Sequence, residues 1–399
     1  MTAPLEGHPV TGWDGLVVIC AANNWDDVKR GDRHMAEHLA AHAPILYLDP
    51  PQSHLTRFRS RGYSPSPPRP RLRQAAPGIA RYSPVVAPKP MHRAVVPTTS
   101  WLVRHQLAGA VRELAGSVHA VITTWLFLDM YGVCNERRSV YWWRDDPVAA
   151  APLWGLDREM LVRGEERLAR SSDLVVAVSD DAARRWRREG ASTAFLPNGC
   201  DAAMFANVDE APDPTDVDLP GPIAGFVGQI NTRTDLALLE AVADSGMSLL
   251  LVGPRDMSFE PERFERLAGR PGVSYIGPRP FAELPSYLKS IDVGLIPYGL
   301  NEFNRGSFPL KALEYLAAGL PVVATPLPAL RWLDTDLIAL HEEPETFAAA
   351  VERAATVARE PALVERRRAL ATRHSWTERA ARMAELLEMP GHAVAREAA

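Results

Sequence analysis

Residues 304–325 read NRGSFPLKALEYLAAGLPVVAT, and their order decides the fold. A polar loop runs into a short helix, the helix stops at Gly319, and an apolar strand follows at once. Lys311 and Glu314 stand three positions apart and so share one helix face. Leu310, Leu313 and Ala317 take the opposite stripe, which suits a core. Pro309 fits a first turn, where its missing N–H costs nothing. Gly319 followed by Pro321 is a helix stop, and residues 322–324 read as a buried parallel strand. A cation, a carboxylate and a helix N-terminus therefore converge at one place. Such a place suits an anion such as a diphosphate.

Lys311 also stands out by composition. The chain has 44 basic residues, yet its only lysines are Lys29, Lys89, Lys289 and Lys311. A lysine kept in mid-helix beside an apolar strand suggests a need for a compact point charge. The other reading is a surface ion pair with Glu314.

Working outward, strands and helices alternate twice. In the first half, 16–21, 45–48, 120–123, 139–143, 174–178 and 194–196 read as strands. Helical stretches lie between them at 33–41, 100–114, 157–171 and 181–189. The second half restarts with strands at 223–227, 248–252, 273–275 and 293–296, and helices at 235–243, 260–267 and 281–289. Helical stretches at 344–358, 362–373 and 376–388 close the chain. This alternation predicts an α/β fold of two doubly wound parallel sheets, helices on both faces. Residues 206–222, ANVDEAPDPTDVDLPGP, are acidic, Pro-rich and aperiodic, and read as a linker. The expected division is 1–205, linker 206–222, 223–373, and a returning segment 374–399.

Residues 50–97 resist this pattern. Arg57, Arg59, Arg61, Arg69, Arg71 and Arg73 alternate with prolines, with Leu55, Phe58 and Tyr63 interleaved. The stretch is too long for a simple connection. It reads as a solvated insertion, or as a mobile loop that meets an anionic acceptor or a membrane surface.

At 399 residues there is chain for two cores. A net charge of -5 excludes a general nucleic-acid binder. Cys20, Cys134 and Cys200 are far apart, which fits a reducing compartment and no disulfide framework. No basic leader or spanning run is read, so a cytoplasmic protein is expected, at most peripheral at the inner membrane face. No His or Cys cluster with metal-ligand spacing is found, and no G-x-G-x-x-G follows the first strand.

In open α/β sheets ligands bind beyond the carboxyl ends of strands, and two such domains facing each other make a cleft. Gly228 follows the first strand of the second half and can let a phosphate approach the backbone; Arg233 can pair with it. A tight turn and a surface charge are the alternatives. Gly253 ends the second strand, and Gly277, Pro278 and Arg279 end the third, where backbone groups can meet a nucleobase. Pro297 and Tyr298 end the fourth, where a ring can stack on something flat. In the first half, Asp145 and Asp146 follow the aromatic strand VYWW. They read either as a base or sugar-orienting pair, or as a helix N-cap. Trp25 and Arg30 lie in the loop after the first strand and read either as a plain surface loop or as candidates for acceptor or diphosphate contact. His119 is expected to pack.

FPLKALEYLAAGLPVVAT resembles the donor-binding segment of GT-B glycosyltransferases close to family 4. LPNGCDAAMF (196–205), LARSSDLVVAVSDDAA, FVGQINTRTDLALL and RHSWTERAARMAELL (373–387) resemble further segments of that superfamily. WDDVKRGDRHMAEHLA with ILYLDPP is similar to the teichuronic-acid-biosynthesis type. The resemblance implies transfer from a nucleotide sugar, most simply a UDP-sugar, to a hydroxyl of a glycan, lipid or small molecule. It implies retention, no bound metal and no cofactor beyond the donor. By matching position, Gly228 and Arg233 would contact the diphosphate and Lys311 would neutralise the leaving group. Glu314 would bind the ribose, and Gly277 to Arg279 would frame the base. Where many relatives carry a first glutamate, this chain has Gly306, so contacts to the sugar fall to backbone, Asn304 and Arg305. The usual histidine after the fourth strand is replaced within TTWLFLD. A nucleotide-sugar epimerase, a sugar phosphorylase and a silent partner subunit share this architecture and stand as alternatives.

Overall fold

The computed structural model describes residues 5–9, 11–27, 29–53 and 72–389. Two compact units are present, Met1–Pro197 with Arg379–Ala399, and Asn198–Glu378. Strands are numbered in chain order. The first unit holds β1 (Leu16–Cys20), β2 (Ile45–Leu48), β3 (Gln52–Ser53), β4 (Leu72–Ala76), β5 (Ile79–Tyr82) and β6 (Val85–Val86). It continues with β7 (Val118–Thr123), β8 (Arg138–Trp143), β9 (Leu174–Ala177) and β10 (Thr193–Phe195). Among the described residues, eight strands form one sheet in the order β10-β9-β8-β7-β1-β2-β5-β4. Every pairing in it is parallel except β4 with β5. β1 and β2, LVVIC and ILYL, are wholly buried, as uninterrupted apolar runs are in a parallel sheet covered on both faces. The chain places β2 on one side of β1 and β7 on the other. The sheet therefore reverses between β1 and β7, and a crevice is expected at their carboxyl ends.

The stretch 50–97 is not one connection, for it supplies β3, β4, β5 and β6. Of the residues that marked it, Leu55, Arg57, Phe58, Arg59, Arg61, Tyr63, Arg69 and Arg71 lie outside the described residues. β5 escaped the sequence reading because Arg81 sits in the middle of IARY. Its side chain is buried, with Nε 2.6 Å from Asp49 and Nη1 2.6 Å from Asp26. Pairing offsets part of the burial penalty that makes an arginine look like a surface residue.

A buried carboxylate lies beside β8. Glu165 is fully buried on helix Arg158–Ser171. It accepts from the Trp143 indole at 2.6 Å and from Arg185 at 3.3 Å. Burial pushes its carboxyl up, against the pull of Arg185 and of the indole, to about 7. The folded protein therefore keeps a proton that the unfolded chain has lost above its ordinary value of 4.5. Stability from this group is full below that value and falls as pH rises to about 7. Glu165→Gln cannot ionise, so it should gain on the parent by up to about 3 kcal/mol between about pH 5 and pH 8. Urea unfolding of both proteins at the two pH values checks this, and a gap that does not change with pH refutes it.

The second unit holds β11 (Ile223–Val227), β12 (Ser248–Val252), β13 (Val273–Gly277), β14 (Val293–Ile296), β15 (Val322–Ala324) and β16 (Ile338–Leu340). They form a parallel sheet in the order β13-β12-β11-β14-β15-β16. Here the reversal falls between β11 and β14. Residues 206–222, read as a linker, run along this unit: Val208 is buried, Val217 and Leu219 pack on its core, and Asp216 pairs with Arg279 at 2.6 Å. The segment before Lys311 is not a loop throughout, since Glu302–Gly306 forms a short helix capped by Asn301. Helix Leu310–Ala317 is buried from Ala312 to Ala317, on nearly every side rather than along one stripe. The unit boundary at Glu378 falls inside helix Trp376–Leu386. His119 packs as expected, its Nε2 lying 2.7 Å from the Leu387 carbonyl oxygen. Among the described residues no helix is long and apolar enough to cross a membrane.

Candidate functional site

The carboxyl ends of β11, β12 and β13 are tied to one another through glycine. Gly228 N–H donates to Val252 O at 2.8 Å, and Gly253 N–H donates to Gly277 O at 2.9 Å. Gly253 has φ of 139°, and a Cβ there would lie 2.0 Å from the Gly228 carbonyl oxygen. The two backbones are thus closer than any side chain allows. Tyr275 adds a bond from its hydroxyl to Gly253 O at 3.1 Å. The result is a row of side-chain-free backbone beside the point where the sheet reverses.

Arg233 lies on the loop that leaves Gly228. Its Nε donates to Asn304 Oδ1 at 2.8 Å and its Nη2 to Ser307 Oγ at 3.3 Å. Its guanidinium stands 4.8 Å from the ring centres of both Tyr298 and Phe303. Cation–π contact and hydrogen bonds together hold one rotamer. Asn304 is wholly buried, and its amide nitrogen donates to Arg233 O at 3.0 Å and Gly299 O at 2.8 Å. That commitment corrects the expectation that Asn304 meets a sugar: it positions Arg233 instead. Arg305 is exposed and donates to Leu300 O at 3.1 Å.

Lys311 and Glu314 meet as their spacing predicts, with Nζ 2.9 Å from Oε2. The ion-pair reading of Lys311 is thus observed. Burial pulls the Lys311 ammonium down, but Glu314 beside it, and Tyr298, more than offset this, so its pKa stands above the ordinary lysine value. The ammonium therefore stays charged at neutral pH. Tyr298 borders both cations, Arg233 over its ring and Lys311 within its electrostatic reach. The helix is anchored by Tyr315, which the sequence reading passed over. Its hydroxyl accepts from Val227 N–H at 2.8 Å, and its ring lies against Gly294, where a Cβ would come within 2.4 Å of it. One side chain thus fixes Lys311 and Glu314 against β11 and β14. A glycine inside an apolar strand, as in VGLI, was the available signal for such a close approach.

The Arg279 side chain is committed within the second unit. Its guanidinium is engaged by Asp216 at 2.6 Å and by the Tyr287 hydroxyl at 2.7 Å. At the same strand end Gly277 has φ of 79° and Pro278 is exposed.

Asp145 and Asp146 belong to the first unit, just past β8. Asp146 Oδ1 accepts from Ala149 N–H at 2.8 Å, so this carboxylate caps a turn. Asp145 borders a cavity of about 300 Å³. Trp25 is buried against Tyr47 and its backbone N–H donates to Asp49, while Arg30 is exposed ahead of helix Gly31–Leu39.

Residues 221–356 match the family described as Glycosyl transferases group 1. Over 246 residues the chain is 30% identical to a protein named as a teichuronic acid biosynthesis glycosyltransferase, TuaH of Bacillus subtilis (strain 168), covering 57% of this chain and 61% of that one. The chain thus spans about three fifths of the length of that curated relative. Among solved structures, it superposes on a sucrose-phosphate synthase from Thermosynechococcus elongatus with a TM-score of 0.70 at 17% identity, over 94% of this chain and 98% of that one. Anabaena Alr3699/HepE, solved in complex with UDP and glucose, superposes with a TM-score of 0.62 at 13% identity, over 94% and 99%.

Proposed function

We propose, for a chain of GT-B fold whose residues 221–356 form a glycosyl transferases group 1 domain, that it moves a sugar from a nucleoside-diphosphate sugar to an acceptor hydroxyl. The observation that carries the reading is the meeting of Arg233 and the Lys311–Glu314 pair beside Tyr298, next to the glycine-lined strand ends. Breaking the bond between anomeric carbon and phosphate oxygen leaves the electron pair, and growing charge, on the diphosphate. Two fixed cations and a helix N-terminus stabilise that charge without moving. We assign Arg233, Lys311 and the Gly228 backbone to the diphosphate, Glu314 to the ribose hydroxyls, and the backbone of 277–279 to the base. UDP is the nucleotide we assign, in keeping with the UDP held by the Anabaena neighbour. Retention at the anomeric carbon, and a rate unchanged by a metal chelator, complete the proposal. The N-terminal unit is the acceptor domain in this reading.

A thermal-shift panel of UDP, GDP and dTDP tests it. A ligand at a hundred times its dissociation constant adds about 2.7 kcal/mol to stability, which a melting curve resolves. UDP should raise the midpoint most. A panel in which no nucleoside diphosphate shifts it ends the proposal. Arg233→Lys keeps the charge but loses the planar fork that Asn304 and Ser307 hold. It should weaken UDP binding by about tenfold in calorimetry. Unchanged affinity would remove Arg233 from the site.

A further inference from the structure

The first unit has its own cavity, of about 300 Å³, where its sheet reverses. Ala22 after β1, Pro50 after β2, Thr124 after β7 and Arg144 after β8 all line it. That is where a doubly wound sheet receives a ligand, and the volume lies in the range of small-molecule sites. Its walls are flat and aromatic: Trp125, Phe127, Tyr141, Trp142 and Trp143, with Met91 and Leu161 beside them. Apart from Thr124, Arg144 and Asp145, its lining side chains are aliphatic or aromatic.

These walls are held rigidly. The Trp125 indole donates to Ala21 O and the Trp143 indole to Glu165. Arg144 is fixed by an ion pair to the fully buried Asp32 at 2.9 Å and lies 5.6 Å from the Trp142 ring centre. The Trp142 indole N–H, in contrast, is buried and has no hydrogen-bond acceptor among the described residues. That atom is closed off from solvent, so Trp142 bounds the cavity without offering a bound molecule its N–H. A polyhydroxylated sugar fits badly, because most of its hydroxyls would lose water against hydrocarbon.

We infer that this cavity holds the acceptor, and that the acceptor is an aromatic alcohol whose ring lies between the indoles and whose hydroxyl is presented at the Arg144–Asp145 edge. This rests on the glycosyltransferase reading above for the word acceptor, but not for the binding itself. In the transfer step the hydroxyl oxygen bonds to the anomeric carbon on the face the diphosphate leaves, the diphosphate departs with the old bond's electrons, and its freed oxygen takes the hydroxyl proton, which keeps the configuration.

The experiment uses the full-length protein and 7-hydroxycoumarin as probe, followed by quenching of tryptophan fluorescence and by calorimetry. Methyl glucoside and farnesol serve as a sugar and an isoprenoid alcohol for comparison. The coumarin should bind, and the other two should bind at least about tenfold more weakly. Met91→Trp, which fills the cavity without removing packing, and Phe127→Ala, at a half-buried wall, should each weaken coumarin binding by about tenfold or more. Both variants should keep the UDP melting shift, which also shows that they fold. Tighter binding of methyl glucoside or farnesol overturns the acceptor class. Coumarin affinity unchanged in Met91→Trp overturns the site. Coumarin binding without any nucleotide shift overturns the transferase reading alone and leaves the aromatic site standing.

Discussion

Replacing Lys311 with alanine is expected to lower the rate of sugar transfer by a factor of about 10²–10³. Two effects add. The substitution removes a cation that its surroundings keep protonated, with Glu314 raising the ammonium pKa above that of a free lysine despite burial. It also strips Glu314 of its partner at 2.9 Å, leaving a largely buried carboxylate beside the proposed diphosphate site. The second effect is repulsive and should appear in binding as well as in catalysis. UDP affinity should therefore fall in Lys311→Ala, and adding Glu314→Gln should restore part of it, because a neutral amide does not repel phosphate. Calorimetry with UDP on the two variants separates the effects, and a steady-state assay with the donor gives the rate. Transfer at the parent rate in Lys311→Ala would show that the leaving group is stabilised elsewhere.

The largest effect on stability should come from Gly253→Ala. A methyl group at this position would stand 2.0 Å from a backbone oxygen, 2.8 Å from a backbone carbon and 3.3 Å from a backbone nitrogen of Gly228. No flexible side-chain end is there to yield. The residue also has φ of 139°, which side-chain-bearing residues rarely adopt. The contact can be relieved only by parting the ends of β11 and β12. A loss of more than about 4 kcal/mol is expected, at the far end of single-substitution effects. Gly272→Ala is the control. It has φ of 78° but open space around the added methyl, so it should cost only the left-handed strain of about 1–2 kcal/mol. Urea unfolding midpoints for the two variants decide the matter. Equal losses would mean that the close approach of Gly253 to Gly228 contributes nothing.

Much of the second sheet was legible in the chain. β11, β12, β14 and β15 have the bounds read from sequence, because a strand covered on both faces must be apolar throughout. Helix Leu310–Ala317 was legible from the Gly-Pro stop behind it and the proline before it. The first sheet was less so. β5 contains a buried arginine whose partners, Asp49 and Asp26, lie 32 and 55 residues away. Its antiparallel neighbour β4, LRQAA, is half-exposed and has no apolar run. An edge strand of that kind is specified by pairing, not by its own composition. In the candidate site, the spacing of Lys311 and Glu314 declared their contact. The roles of Asn304 and Tyr315 did not, since an asparagine looks polar and a tyrosine looks like core until their partners are known.

The sequence by itself determined which segments become strands and helices wherever burial imposes a period or a continuous apolar run. It also determined the charge pair on one helix face, because helical geometry makes residues three apart neighbours. The order of strands in each sheet, and hence the two reversal points, was decided only in the tertiary structure. So were the Gly253–Gly228 approach, the clamp of Asn304 on Arg233 and the aromatic walls at the carboxyl ends of β7 and β8. Each of these joins residues far apart in the chain, and no local propensity encodes a distance between them.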